Sequence, residues 1–326
     1  MKILVTGGLG FIGSNFVRHI IDKFDKVYVL DNLSYGASLS NLRNINCKIV
    51  FGGICNFNLV FDLIKKVDIV VNFAAETHVD RSISDPSSFV KTNVLGVHTI
   101  LEAIRKSDKP IRLIHISTDE VYGSTEDSSF NEDDKLLPSS PYSASKASSD
   151  LLVLSYVKTY NIDALITRCT NNYGPYQFPE KLVPKTIIRS LMDMKIPIYG
   201  TGKNIRDWIY VKDHCKAIEL LMDKGKKGEI YNISSGEEKT NIEVVKEILK
   251  LLGKDEDLIE FVEDRPGHDI RYSLNSQKIR QLGWSPEYCF REGIIETIGW
   301  YLNNEWWWES LANKKILHPT PWKLSW

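Results

Sequence analysis

The chain opens on a nearly unbroken apolar run, ILVT, and a second such run, IVVN, follows near residue 70. These runs lack the alternation of a half-exposed strand and suit strands covered on both faces. β-rich segments recur at 2–6, 26–30, 48–51, 68–72, 112–117 and 163–168. Helical patterns fall between them, over 11–24, 57–66, 86–106 and 141–160. Strands separated by helices of this length predict crossover units and a parallel sheet. Past residue 170 the pattern loosens. Helical patterns at 181–194, 213–224, 241–252 and 290–303 are separated by loops such as YGPYQFPEK and DRPGHD. The expected organisation is an α/β unit over 1–170 and a smaller α/β unit over 171–326, with some later segments returning to the first. No repeat or flexible linker divides them. The C-terminus, EWWWESLANKKILHPTPWKLSW, carries enough apolar area to predict docking on its own protein or on a partner subunit.

Composition narrows the classes. At 326 residues the chain can bury a sizeable core, and a net charge of -1 gives no global field for nucleic acid or an anionic membrane. No apolar run reaches bilayer-spanning length. MKILVTGG goes straight from a lysine into a strand, without the features of a signal peptide, which predicts a cytoplasmic protein. The five cysteines include no CxxC pair and predict reduced, mostly buried thiols. The seven histidines form no HxH or HExxH pair, so no metal site is expected.

The first strand leads into GGLGFIG, in which Gly7, Gly10 and Gly13 are spaced GxxGxxG ahead of a helix. Glycine allows a sharp turn and close backbone approach to a pyrophosphate, and the helix start supplies free N–H groups. Asp31 ends the second strand, at the distance expected of a carboxylate that accepts hydrogen bonds from a ribose and repels a 2′-phosphate. Asn32 and Leu33 follow with no adjacent arginine, which favours NAD over NADP. The alternative role for Asp31 is to cap a turn. The fold class predicted is a Rossmann-type doubly wound parallel sheet.

Tyr142 and Lys146 form YxxxK on a predicted helix and share one face. A free tyrosine has a pKa of about 10, so phenolate at neutral pH needs roughly 4 kcal/mol of differential stabilisation. A neighbouring ammonium and a positive nicotinamide ring are expected to supply it. YxxxK alone is common by chance. Here Ser117 and Thr118 end the preceding strand, and Asp119 and Glu120 follow as adjacent carboxyls. Without the other motifs that pair reads as a solvated acidic turn. In a cleft it suits elimination of water, one carboxyl protonating the departing hydroxyl and the other taking a carbon-bound proton. Neighbouring carboxyls also split their pKa values.

These motifs resemble the extended branch of the short-chain dehydrogenase/reductase family. NFAAETHVDRSI, STDEVYG, SSPYSASKASSDLL, NNYGPYQFPEKLVP, PIYGTGKNIRDWIYVKDH and DRPGHDIRY, in that order, resemble its dTDP-glucose 4,6-dehydratases from residue 1 to about 303. The resemblance implies oxidation at C4 of the sugar, loss of water across C5 and C6, and return of the hydride to C6. Tyr142 would act as base at C4, Thr118 would bond the reacting hydroxyl, Lys146 would hold the nicotinamide ribose, Glu120 would deprotonate C5 and Asp119 would protonate the C6 hydroxyl. It also implies that Phe11 and Ile12 meet NAD phosphates, and that Asp31, Asn32, Leu33 and Ser34 surround the adenosine ribose. Phe73, Ala74, Ala75, Thr77, Thr92 and Asn172 line the cofactor cleft, with Gly53 and Ile54 near the adenine. Thr77, Asn171, Lys181, Leu182, Arg206, Asn241, Arg265 and His268 are expected around the nucleotide sugar, and Pro197, Ile198 and Tyr199 around the thymine.

The bland alternatives are a surface ion pair for Arg206 with Asp207, a loop cap for His268 and turn roles for Asn171 and Asn172. Two departures stand out. Gly53 occupies a position usually acidic in the family, and Asn56 replaces another expected acid. Competing readings are a dehydratase for CDP- or UDP-glucose, an epimerase or decarboxylase on the same fold, and a non-catalytic NAD-binding regulatory protein. The resemblance also implies a homodimer through the helices near 86–106 and 141–160.

Overall fold

The computed structural model describes residues 1–324. The strands β1 (Lys2–Thr6), β2 (Lys26–Asp31), β3 (Lys48–Phe51), β4 (Ile69–Asn72), β5 (Arg112–Thr118) and β6 (Ala164–Cys169) lie parallel in the order β6-β5-β4-β1-β2-β3. The strand order reverses between β1 and β4, which opens a crevice at their carboxyl ends. Within β1, Ile3 and Val5 join the apolar layer containing Phe16, Val17 and Ile20 of the helix Phe11–Ile20, whereas Leu4 joins that containing Val60, Ile64, Ile100 and Val153. Alternate residues of one strand thus feed both layers, which is why ILVT is apolar throughout.

The second half adds β7 (Asn171–Tyr173), β8 (Ile196–Tyr199), β9 (Ile205–Tyr210), β10 (Ile230–Ile233), β11 (Glu238–Thr240) and β12 (Ile259–Val262). β10 returns to the large sheet and pairs in parallel with β6, giving seven strands. β11, β9 and β7 form a second sheet, and β12 pairs with β8. These short strands were not apparent in the sequence because they lie between loops and mix buried apolar residues with polar ones rather than forming a continuous apolar run.

The helical pattern of 86–106 resolves into Pro86–Phe89, a π-helical stretch Val90–Leu95 and Gly96–Arg105. The π stretch widens the helix beside the crevice and brings in Asn93. Asn93 accepts from the Glu76 amide at 2.8 Å and donates to Ser145 at 2.8 Å. The cysteines also depart from expectation. All five are free, but only Cys169 and Cys215 are buried; Cys47 and Cys55 are half-buried and Cys289 is exposed. The aromatic tail docks on its own chain through buried Trp307 and Trp308, whose indole N–H groups donate to Asn41 at 2.7 Å and to the Tyr301 carbonyl at 2.9 Å.

A buried polar chain crosses the sheet. Thr6 donates to Asn72 at 2.6 Å, and the Asn72 amide meets His115 Nδ1 at 3.1 Å. His115 Nε2 lies 3.2 Å from Ser149, whose hydroxyl donates to the Lys146 carbonyl at 2.7 Å. The donor sequence assigns the His115 proton to Nε2. Burial holds the ring well below its usual pKa, hence neutral. Next to Ser149, Asp150 pairs with Arg168 of β6 at 2.9 Å, and Arg168 donates to Tyr122 at 2.7 Å. Together these bonds pin the helix Pro141–Tyr160 to the sheet.

Replacing Arg168 with Met leaves the Asp150 carboxylate buried without its cation. We expect urea unfolding to show a loss of about 3–5 kcal/mol, largely recovered when Asp150 is also changed to Leu. A loss below about 1 kcal/mol would remove this pair as the pin.

Candidate active site

The crevice holds a cleft of about 700 Å³. One wall is the glycine turn after β1. Gly7 has φ +66°, and a Cβ there would come within 2.6 Å of the Ala74 amide nitrogen. A Cβ on Gly13 would overlap the Gly7 carbonyl. The helix Phe11–Ile20 starts without a side-chain cap, so its first N–H groups remain available at the cleft. Asp31 lines the same cleft and also organises its rim, accepting from the Leu9 amide at 2.9 Å and the Leu33 amide at 2.8 Å. The turn-capping role weighed for it is present, and the carboxylate still lines the cleft.

The opposite wall gathers titratable side chains. β5 delivers Thr118 to the cleft, and the short turn Asp119–Tyr122 follows at once. The helix Pro141–Tyr160 begins at a capping box, Ser140 with Ser143, and its first two turns present Tyr142 and Lys146 to the cleft. Tyr142 is held edge-on by Phe89, ring centres 6.2 Å apart. Lys146 donates to the Ile116 carbonyl at 2.6 Å, and Thr118 donates to Asp119 at 3.0 Å. The other Asp119 oxygen, Oδ2, is buried with no protein partner and belongs to a residue lining the cleft. An acid so placed can donate to or accept from a bound hydroxyl.

The sequence family described as GDP-mannose 4,6 dehydratase matches residues 4–297. A dTDP-glucose 4,6-dehydratase of Streptomyces niveus is 47% identical over 96% of both chains. A low-salt glycan biosynthesis protein of Haloferax volcanii is 49% identical over 94% of this chain and 100% of its own. The solved dTDP-glucose 4,6-dehydratase DesIV of Streptomyces venezuelae, with NAD and TYD bound, superposes with a TM-score of 0.93 at 45% identity, covering 95% of this chain and 100% of that one. The chain belongs to the dTDP-glucose 4,6-dehydratase family.

In this dehydratase chain the cleft gathers Gly7, Gly10, Phe11, Ile12, Gly13, Asp31, Asn32, Ser34, Gly53, Ile54, Phe73, Ala74, Ala75, Thr77, Thr92 and Asn172 together with Thr118, Asp119, Glu120, Tyr142 and Lys146. Leu33 stays outside the lining, with its side chain turned to solvent. Asn171 and Lys181 also line it, and Lys181 donates to the Thr77 carbonyl at 3.4 Å. Leu182 opens the next helix. Pro197 and Tyr199 share one face of β8, whereas Ile198 turns into an apolar cluster with Val245 and Leu249 and keeps only its backbone for a ligand. Arg206 does not form the surface ion pair weighed for it. It is buried, lies over the Tyr272 ring at 4.2 Å and donates to the Asp269 carbonyl at 2.9 Å. Arg265 pairs with Asp80 at 2.8 Å, His268 meets Asp264 at 2.6 Å, and Asn241 begins a helix after its capping box.

Several lining residues escaped the sequence reading. His78, Glu180 and Tyr35 form a buried group in which Tyr35 donates to Glu180 at 2.6 Å and His78 lies 3.5 Å from it. The string ETHVDRSI held the signal for His78 and Asp80, but a lone histidine in it is indistinguishable from a core one. Glu180 and Tyr35 had no sequence signal of their own. At the adenine end, Asn56 is spent on capping the helix Phe57–Ile64, accepting from the Leu59 amide at 3.2 Å. Gly53 has open space around it, so no backbone constraint requires glycine there.

Burial pushes the Tyr142 phenol well above its usual pKa, and the Glu120 charge adds to the rise. Burial also lowers the Lys146 pKa to about 8, which leaves it a cation at neutral pH. Asp119 is pushed up to about 8, by burial first and then by Glu120. Burial also raises Glu120, against the pull of Arg265, Arg206 and Lys181.

Asp119 is therefore protonated at neutral pH and loses its proton above about 8, where Lys146 also loses its charge. Both losses act in one direction, so kcat/KM is expected to fall as pH rises through about 8. A kcat/KM profile flat to pH 10 would contradict these assignments.

Proposed function

We propose that this chain converts dTDP-glucose to dTDP-4-keto-6-deoxyglucose and water, holding NAD through the turnover. The observation that carries the reading is the acid pair Asp119–Glu120 facing the same cleft as Tyr142 and Lys146. An epimerase or decarboxylase needs no such pair.

The fit to NAD rests on the glycine cradle, the uncapped helix start and the Asp31 carboxylate. When bound, NAD supplies the acceptor for the C4 hydride and the donor for C6. The chain does the rest. Tyr142 takes the C4 hydroxyl proton while Thr118 holds that hydroxyl in place. The resulting ketone acidifies C5. Glu120, a stronger base for being buried, removes the C5 proton, and Asp119 gives its own to the C6 hydroxyl, which leaves as water; a proton then returns to C5 as C6 receives the hydride. Arg206, Arg265 and Lys181 supply positive charge for the diphosphate, with Asn171, Asn241, Leu182 and His268 completing the sugar-nucleotide contacts. Pro197, Ile198 and Tyr199 hold the base.

The test is incubation with dTDP-, UDP- and CDP-glucose. A 4-keto-6-deoxy product is expected from dTDP-glucose at the highest kcat/KM, and formation from CDP-glucose alone defeats the substrate assignment. In Glu120→Gln, kcat should drop by roughly 10²–10⁴ while the absorbance of reduced nicotinamide builds up on adding substrate. Full turnover by that variant removes Glu120 as the base.

The proposed assembly is a homodimer. Val90 and Leu95 are more than half exposed on a groove shared by the stretch 86–98 and Leu152 of the helix Pro141–Tyr160, and the neighbouring Leu151 is also more than half exposed. A second copy meeting this face two-fold buries both sets at once. The proposed compartment is the cytoplasm, where five free thiols persist. Leu95→Glu with Leu151→Glu should halve the mass seen by sedimentation equilibrium; an unchanged mass places the interface elsewhere.

A further inference from the structure

The described residues beyond 303 lie past the stretch 4–297 that carries the family match, and they reach as far as Tyr199 of β8. After the buried Trp307 and Trp308, the tail is fastened to the helix Leu182–Leu191. Arg189 donates to the Leu317 carbonyl at 2.7 Å, and Lys185 donates to the His318 carbonyl at 3.2 Å. The turn Pro321–Lys323 then packs on the helix Val79–Ser84, and Lys323 forms an ion pair with Glu263. This route delivers Trp322 edge-on to the Tyr199 ring, centres 4.6 Å apart at 79°.

Tyr199 is otherwise held by groups from distant parts of the chain. Its hydroxyl donates to Asp80 at 3.4 Å, and Asp80 is in turn paired with Arg265 at 2.8 Å. Its ring meets His268 edge-on at 6.3 Å. A 3.4 Å hydrogen bond is a weak tether, and a tyrosine ring on a short strand has rotamer freedom to lose. The Trp322 contact is the closest ring contact Tyr199 makes among the described residues.

We infer that Trp322 is a positioning residue for the nucleobase end of the substrate cleft, fixing the Tyr199 ring in place before substrate arrives. The inference rests on the reading that Pro197–Tyr199 holds the base. Preorganisation at that end acts on binding rather than on the reacting carbons, which Tyr142, Asp119 and Glu120 serve. Removing Trp322 therefore weakens the bound substrate and the transition state alike.

The experiment uses the full chain with NAD. Trp322→Ala is compared with Trp322→Phe, Tyr199→Ala and, as a control, Trp306→Ala, whose ring is exposed and lies over Arg43. In Trp322→Ala, KM for dTDP-glucose should rise roughly three- to tenfold, the range set by losing one aromatic edge contact. Affinity for dTDP alone, measured by calorimetry, should weaken in parallel. kcat and NAD retention should stay within about twofold. Trp322→Phe should restore most of the loss, and Trp306→Ala should match the parent. If Trp322→Ala is not recovered folded, Trp322→Leu, which keeps apolar volume without the ring, carries the same expectation. KM and dTDP affinity unchanged in the Trp322 variants but altered in Tyr199→Ala overturn the inference. So does a fall in kcat with KM intact. Unchanged KM in Tyr199→Ala sinks the base-holding segment itself, and the inference with it.

Discussion

The site depends on one constraint: the helix Pro141–Tyr160 must lie across the carboxyl end of β5 at a fixed height and rotation. Tyr142 and Lys146 sit in its first turns, and neither is held there by the cleft alone. Three and four residues beyond Lys146, Ser149 and Asp150 meet His115 of β5 and Arg168 of β6. A rotation of the helix would break a buried ion pair and a hydrogen bond together. Because every group from Thr6 to Ser149 has one consistent donor and acceptor role, the chain of bonds admits a single arrangement.

The active-site charges are set by burial more than by neighbours. Asp119, Glu120 and Tyr142 are all shifted toward their neutral forms, and Lys146 toward its own. A cleft in that condition is a poor place for a phenolate until positive charge is added. Lys146 stays a cation at neutral pH, and a bound nicotinamide would add to its charge. Asp119 needs no such help, since a neutral carboxyl is the form that donates.

Much of this was legible in the sequence. The six strands of the first half, the glycine turn, Asp31, and the pairing of Asp119–Glu120 with Tyr142 and Lys146 followed from apolar runs and motif spacing. Their partners followed less well. Ile198 sits in a string read as base-binding, yet strand alternation turns its side chain to the core. Tyr142 and Lys146 share the cleft-facing side of their helix, as a spacing of four residues implies, but that spacing says nothing of how dry the face is. His78, Glu180 and Tyr35 come from three separated segments, and only the fold shows that they meet. The π-helical Val90–Leu95 carries no compositional mark, because one extra residue in a turn leaves an apolar pattern nearly intact.

The return of β10 to the edge of β6 has a consequence for biosynthesis. When the first 170 residues have left the ribosome, the large sheet has all but one of its strands, and the outer side of β6 carries unpaired amide and carbonyl groups. That open flank is an invitation to strand pairing with another nascent molecule. It closes only after a further sixty or so residues, when Ile230–Ile233 can dock. The polypeptide therefore cannot be divided at its apparent midpoint into two self-sufficient halves, and during synthesis its most adhesive edge waits for a strand encoded far downstream.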